Sequence, residues 1–206
     1  MIRLLGKLDR NLIVACSGGS DSMMAVDFLS RNHNVTVAHF NHNTKDSNRA
    51  EDFVIEECRI RNLELTIGRC EQMPPAGESL EAHWRDQRYE FLERLNRPVV
   101  TAHHLDDAVE TWVWSSLHGV GRLPGYQYKN AIRPFLMTKK SEIQDWLARN
   151  NVRYIDDPSN DDTSFMRNFI RHEMMPGVLK VNPGIRKVIA KKIEVANCST
   201  TPASNK

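Results

Sequence analysis

At 206 residues, with 40% hydrophobic and 26% charged side chains, the chain has the size and composition of a globular protein with one buried core and a small appendage. No apolar run approaches membrane-spanning length, and Met1–Lys7 is too short and too charged for a secretory signal. The four cysteines (Cys16, Cys58, Cys70, Cys198) contain no C-x-x-C pair, which argues against a zinc ribbon, an iron–sulfur site or a disulfide framework and for reduced thiols in a cytoplasm.

Apolar runs at Leu12–Cys16, Val35–Phe40, Leu63–Gly68 and Pro98–Ala102 predict four strands. Helical patterns at Asp21–Ser30, Asn48–Arg61 and Glu78–Leu95 fall between them. This alternation predicts an α/β fold, a parallel sheet with helices on both faces. Gln72–Gly77 and the glycine-rich Leu117–Gly125 read as loops. Short strands are expected at Ile132–Phe135 and Val152–Ile155, with an amphipathic helix at Ser141–Arg149 between them. Asp156–Asp162 is a turn cluster. Phe165–Met175 reads as a helix stopped by Pro176-Gly177, Ile185–Val195 as a further helix, and Asn197–Lys206 as a polar, disordered tail.

Three constellations carry chemistry. The first is the turn Cys16-Ser17-Gly18-Gly19-Ser20-Asp21-Ser22 between the first strand and the first helix. Free backbone N–H groups and the positive end of a helix dipole converge there, which suits an anion. An acid inside such a loop repels phosphate unless a cation lies between them, so Asp21 suggests Mg²⁺ as well as a nucleotide. The turn is neither GxxxxGK[ST], since it lacks the lysine, nor GxGxxG. A plain Ser/Gly turn with Asp21 as a helix cap is the bland reading.

The second is His103–Thr111. If a helix starts at its head, His103, Asp107 and Glu110 share one face, able to hold a metal or exchange protons, while Leu105, Val109 and Trp112 pack on the sheet. A solvated helix start would look the same. In the third, Arg167 and Arg171 stand four apart with Asn168 between them, a pattern suited to phosphate or carboxylate, or to ion pairs with Asp161 and Asp162. The net charge is only +2, but basic residues outnumber acids from Arg167 onward, as a nucleic-acid partner or a solvated helix would require.

Taken together, these residues resemble the bacterial tRNA(Ile)-lysidine synthetases, within the ATP-pyrophosphatase (PP-loop) superfamily. The blocks that carry the resemblance are Ser17–Ser22, His39-Phe40-Asn41-His42, Glu81–Tyr89, His103–Thr111, Arg133-Pro134, and Asp157-Pro158-Ser159-Asn160 with Arg167–Arg171. They run from about Asn11 to Pro176. The resemblance implies a Rossmann-like PP-loop catalytic domain over 1–177, a helical extension over 178–195 and a tail over 196–206.

It also implies a two-step reaction in the cytoplasm. O2 of the wobble cytidine of a tRNA(Ile) with a CAU anticodon attacks the α-phosphorus of ATP, and free lysine then displaces AMP. Ser17, Gly18, Gly19, Ser20, Asp21 and Ser22 would cradle the phosphates, and His39 and Phe40 would approach the adenine. Arg85 and Arg88 would help hold nucleotide or tRNA. Asp21, His103, Asp107, Glu110 and Arg171 would be catalytic, with Asp21 and Asp107 near Mg²⁺. Arg167, Asn168 and Arg171 would contact pyrophosphate or tRNA phosphate. A tRNA thiolase of the same superfamily, or a non-catalytic nucleotide-binding relative, is the alternative. Two positions depart from the family pattern: Ala108 stands where glutamine is usual, and Asn43 where glycine follows the histidine.

Overall fold

Five apolar residues in succession, Leu12 to Cys16, are what a strand covered on both faces needs, and β1 (Asn11–Ala15) lies inside the sheet. In the computed structural model, which describes residues 1–71, 74, 77, 79–156 and 162–198, chain order continues with α1 (Ser20–Ser30), β2 (Asn34–Asn41), α2 (Lys45–Arg61), β3 (Glu64–Arg69), α3 (Leu80–Arg94), β4 (Val99–Val100) and α4 (Leu105–Leu117). Then come β5 (Gln127–Tyr128), β6 (Ala131–Ile132), α5 (Lys140–Arg149), α6 (Met166–Phe169), a π-helical turn (Ile170–Met174), α7 (Met175–Val181) and α8 (Ile185–Cys198).

The strand order is β3-β2-β1-β4-β6-β5, parallel throughout except for the β5–β6 hairpin. The register sets Val14 of β1 beside Val37 of β2 and Val100 of β4. Alternation along β1 divides the core. Leu12, Val14 and Cys16 join α1, α2 and α5 on one face, while Ile13 joins Tyr89 and Leu92 of α3 on the other. A third apolar cluster joins α4 to the π-helical turn and α8 through Val109, Ile170, Ile185, Ile189 and Ile193.

The chain runs from β1 through α1 to β2 on one side, and β4 pairs on β1's other edge. The carboxyl ends of β1 and β4 therefore form the crevice where open α/β sheets bind ligands.

Three expectations change. Val152–Ile155 is extended but joins no strand; the Val152 N–H returns to Leu147 and the Ile155 N–H bonds the Gly18 carbonyl at 3.0 Å. The strand expected at Ile132–Phe135 is Ala131–Ile132, because Arg133-Pro134 leads into a turn. Its two-residue partner β5 is too short to leave a periodic signal. Pro176-Gly177 does not stop a helix: the π-helical turn lets a new helix begin at Met175, where Pro176 sits in the first turn and its missing N–H has no helical partner to lose. The loop expected at Gln72–Gly77, the turn cluster Asp156–Asp162 and the tail lie largely outside the described residues.

Asn43, where glycine is the family's habit, adopts φ +63°. Asparagine tolerates that left-handed region better than most residues, and the Asn43 N–H is held by Asn41 Oδ1 at 2.7 Å.

Candidate active site

The turn after β1 is held by its own hydroxyls. Ser22 Oγ accepts from the Ser17 N–H (3.2 Å) and donates to the Gly19 carbonyl (2.9 Å), so this serine closes the loop from beneath. Gly18 takes φ +86°, and a side chain there would press on Ile155 and Phe53. Gly19 caps α1 without a side-chain hydrogen bond. The N–H groups of the first turn thus have neither an intrahelical nor a capping partner, as an anion site requires. Asp21 lies in that turn and is not the cap.

Helix α4 starts two residues after His103. His104 caps it: His104 Nδ1 accepts from the Asp107 N–H at 3.2 Å, and Asp107 Oδ2 accepts from the His104 N–H at 3.0 Å. With Nδ1 accepting, Nε2 carries the proton of the neutral ring and faces Asp21 Oδ2 at 3.6 Å. A continuous chain of polar contacts results. Lys140 Nζ reaches Asp21 Oδ1 at 2.6 Å, His104 stands between Asp21 and Asp107, and Asp107 Oδ1 accepts from Arg167 (2.7 Å) and Arg171 (3.1 Å). Arg171 also grips both oxygens of Glu110, at 2.9 and 3.0 Å. The two arginines therefore pair with Asp107 and Glu110, not with Asp162, whose carboxylate accepts from the Ser164 N–H; Asp161 lies outside the described residues.

Burial works to raise the carboxyl pKa of Asp21, but His104 and Lys140 outweigh it and hold it below the ordinary value. The same contest, settled by His104, Arg167 and His103, keeps Asp107 far below its usual range. Burial pulls His104 down, yet Asp107, Asp21 and Asp106 raise it overall. His103 behaves oppositely. Its Nδ1 is 2.9 Å from Thr101 Oγ1, and burial, with Arg133, Arg167 and Arg88 around it, drives its pKa down to about 3. His103 is therefore neutral at ordinary pH.

Around His103 the charge is positive. Arg133 is 6% exposed, donates to the Gly125 carbonyl at 3.1 Å and has a buried Nε without a partner. Arg85 and Arg88 stack on Tyr89 at 5.0 and 5.5 Å, and Arg133 stacks on Tyr128 at 5.3 Å. None of Arg85, Arg88 and Arg133 has a carboxylate within ion-pair distance among the described residues. Uncompensated guanidiniums beside a helix start favour an anionic ligand.

His39 and Asn168 face inward. His39 is 2% exposed; its Nδ1–H donates to the Cys16 carbonyl at 2.8 Å, and Nε2 is buried without a partner. It supports the loop from below. Phe40 packs on His42 and Phe91. Asn168 is buried and donates to the Asp162 carbonyl. Ala108 is fully buried in the apolar cluster beneath α4.

Among the described residues no group of three His, Cys, Asp or Glu side chains could hold a metal ion. Mg²⁺ needs fewer protein ligands when substrate phosphates supply the rest. Asp21, a third exposed at the loop, fits that role. Asp107 does not, because two guanidiniums and a backbone N–H already engage its oxygens. Cys16 is 3% exposed and burial raises its thiol pKa, the reverse of what a reactive sulfur needs. Cys16 and Cys58 are free thiols.

Sequence reasoning missed Lys140 and gave no role to His104. His104 sits inside the quoted block, and its cap spacing with Asp107 was the available signal. Lys140 is 119 residues from Asp21 and has no local signature.

The family model described as the PP-loop domain matches residues 3–178. The tRNA(Ile)-lysidine synthase of Thermotoga maritima is 32% identical over 91% of this chain and 50% of its own length. That of Porphyromonas gingivalis is 32% identical over 93% and 46%, and that of Geobacter sulfurreducens 33% over 89% and 43%. The chain spans about half the length of the curated relatives it matches. Among solved structures, NMN synthetase from Francisella tularensis aligns with a TM-score of 0.51 at 16% identity, covering 82% of this chain and 77% of that one, and shares the fold.

Proposed function

This chain belongs to the PP-loop domain family, and from that premise we propose that it converts the wobble cytidine of a tRNA(Ile) with a CAU anticodon to lysidine, using ATP and free lysine. The observation that carries the proposal is the chain of contacts from Asp21 through His104 and Asp107 to Arg171 and Glu110. It joins a phosphate-binding turn to two carboxylates and two arginines at the crevice between β1 and β4. The similarity to lysidine synthases supports this product over adenylation of another substrate.

ATP lays its phosphates over the free N–H groups of Ser20, Asp21 and Ser22, beside Ser17, Gly18 and Gly19. Asp21 would hold Mg²⁺, which would supply positive charge against the repulsion between the phosphates and an oxygen nucleophile. Cytidine O2 forms a bond to the α-phosphorus while the bond to the β-phosphate breaks and its electron pair leaves with pyrophosphate. Lysine's neutral ε-amine then adds to C2, AMP departs with the C2–O electron pair, and the new C–N nitrogen releases a proton to solvent. Asp107 and Glu110 hold Arg167 and Arg171 in place by ion pairs, and the two guanidiniums would meet pyrophosphate or tRNA phosphate. His103, held neutral, orients a substrate by hydrogen bonding and does not store a proton. Arg85 and Arg88 would meet nucleotide or tRNA phosphates. ATP, lysine and tRNA coexist in the cytoplasm, and no helix among the described residues is long and apolar enough to cross a membrane.

The test is lysine incorporation. With ATP, Mg²⁺, radiolabelled lysine and a tRNA bearing CAU, label enters the tRNA, and Asp21→Ala lowers the rate by a factor of about 100 or more, the cost of losing one transition-state electrostatic partner. Pyrophosphate release without lysine uptake would point to another nucleophile, and nucleotide binding without turnover to a non-catalytic relative.

A further inference from the structure

The turn Cys16–Ser22 has no lysine, the residue that reaches the outer phosphates in many nucleotide loops. We propose that Lys140, from the first turn of α5, supplies that cation and contacts the β- and γ-phosphates that leave as pyrophosphate; the assignment rests on the nucleotide reading above.

The geometry is specific. Lys140 Nζ lies 2.6 Å from Asp21 Oδ1 and 2.9 Å from Ser20 Oγ, so the ammonium stands over the first turn of α1, where the unpartnered N–H groups are. Its backbone is fixed by buried structure. The Lys140 N–H donates to Asp106 Oδ2 at 2.8 Å, and the Leu105 N–H donates to the Thr138 carbonyl at 2.8 Å, pinning the start of α5 to the start of α4. Thr138 is fully buried and bonds Arg3 through its hydroxyl and through the Arg3 N–H. Ile143 and Leu147 then bury α5 in the core cluster that contains α1.

At the other end, the ammonium is reachable. The Lys140 side chain is 36% exposed and that of Asp21 32%. An ion pair this open adds little to folding, so stability alone does not explain why a buried scaffold presents it. The nearby Asp106, whose Oδ2 accepts the Lys140 N–H, gives its other oxygen to Arg186 at 2.6 Å.

The chemistry needs a cation here. As cytidine O2 closes on the α-phosphorus, the electron pair of the breaking bond moves to the bridging oxygen and charge grows on the β-phosphate. A three-donor ammonium follows that charge and keeps its own proton throughout. With nucleotide bound, Asp21 would be free to hold Mg²⁺ and Lys140 would turn from Asp21 to the phosphates, a shift within the reach of its four-carbon stem.

The test compares two nucleotides on the full chain. Calorimetric titration with Mg²⁺·ATP and with AMP separates contacts to the outer phosphates from everything else. Lys140→Ala is expected to weaken ATP by about tenfold or more, the loss expected when one charged hydrogen-bonding partner is removed, while AMP changes less than about twofold. Lys140→Arg should recover most of the ATP affinity. Unchanged ATP binding, or equal weakening of ATP and AMP, would show that Lys140 merely steadies Asp21. Should the alanine variant bind neither nucleotide, Lys140→Gln decides: AMP retained with ATP lost supports the assignment, and ATP retained overturns it. A wild-type chain that binds AMP but not ATP, or neither, overturns the nucleotide reading, and this assignment falls with it.

Discussion

His103 and His104 are sequence neighbours with opposite electrostatics, and this difference has a measurable consequence. The pKa of His103 is about 3 in the folded chain, against about 6.5 in an unfolded one. Between those values the unfolded chain binds the extra proton, so folding stability declines as pH falls from 6.5 toward 3. His104 is raised, so its contribution is full below about 6.5 and fades as pH climbs through its folded value. Asp107 is depressed, and its contribution is present above about 3.8 and lost only in stronger acid. His103→Asn should therefore lose less stability than the parent between pH 6.5 and pH 5, by on the order of 1 kcal/mol, read from urea denaturation at the two pH values. The opposite shifts of the two rings were not legible in His103-His104-Leu105-Asp106-Asp107, although the cap spacing of His104 with Asp107 was. The residue types were visible, but which ring caps the helix depends on where the helix begins, and that is set by Thr138 accepting the Leu105 N–H from across the fold.

Strands and helices were legible wherever an apolar pattern ran for five residues or more. β1, β2, β3 and the helices between them fall close to their expected places. Shorter pieces were not: β5 and β6 pair through two residues each, and the π-helical turn has no sequence signature that a helix of the same composition lacks. The turn between β1 and α1 was readable because its glycines and hydroxyls are needed for local reasons, and Gly18 tests this. A methyl at φ +86° would be strained and would meet Ile155 at 3.2 Å and Phe53 at 3.3 Å. Gly18→Ala should cost about 1 to 2 kcal/mol in denaturant unfolding. It should also weaken ATP binding, because the strain falls on the backbone that would face the phosphates.

Over the whole molecule, the helical layer after Phe165 packs against α4. α8 packs on α4 through Ile185, Ile189 and Ile193, all nearly or fully buried, and α4 carries Asp107 and Glu110. Ile189→Ala should destabilise the chain by about 3 kcal/mol, a typical cost for an apolar truncation that leaves a cavity. A single unfolding transition, followed by tryptophan fluorescence and by circular dichroism together, would show that α8 and the sheet unfold as one unit. The amphipathic pattern of Ile185–Val195 predicted a helix but not its docking site, because one apolar face fits several surfaces equally well.

The polar chain from Asp21 to Glu110 also dictates when competence arises during synthesis. Asp21 leaves the ribosome early, His104 and Lys140 much later, and Arg171 later still. At about 5 to 20 residues per second, several seconds separate the first of these from the last. Throughout that interval the nascent turn has hydroxyls and glycines but no ammonium beside it and no guanidinium behind its acids. On the proposed nucleotide reading, a growing polypeptide would therefore be a poor trap for cellular ATP until nearly all of this sequence had emerged, and the ability to hold nucleotide would be gained late.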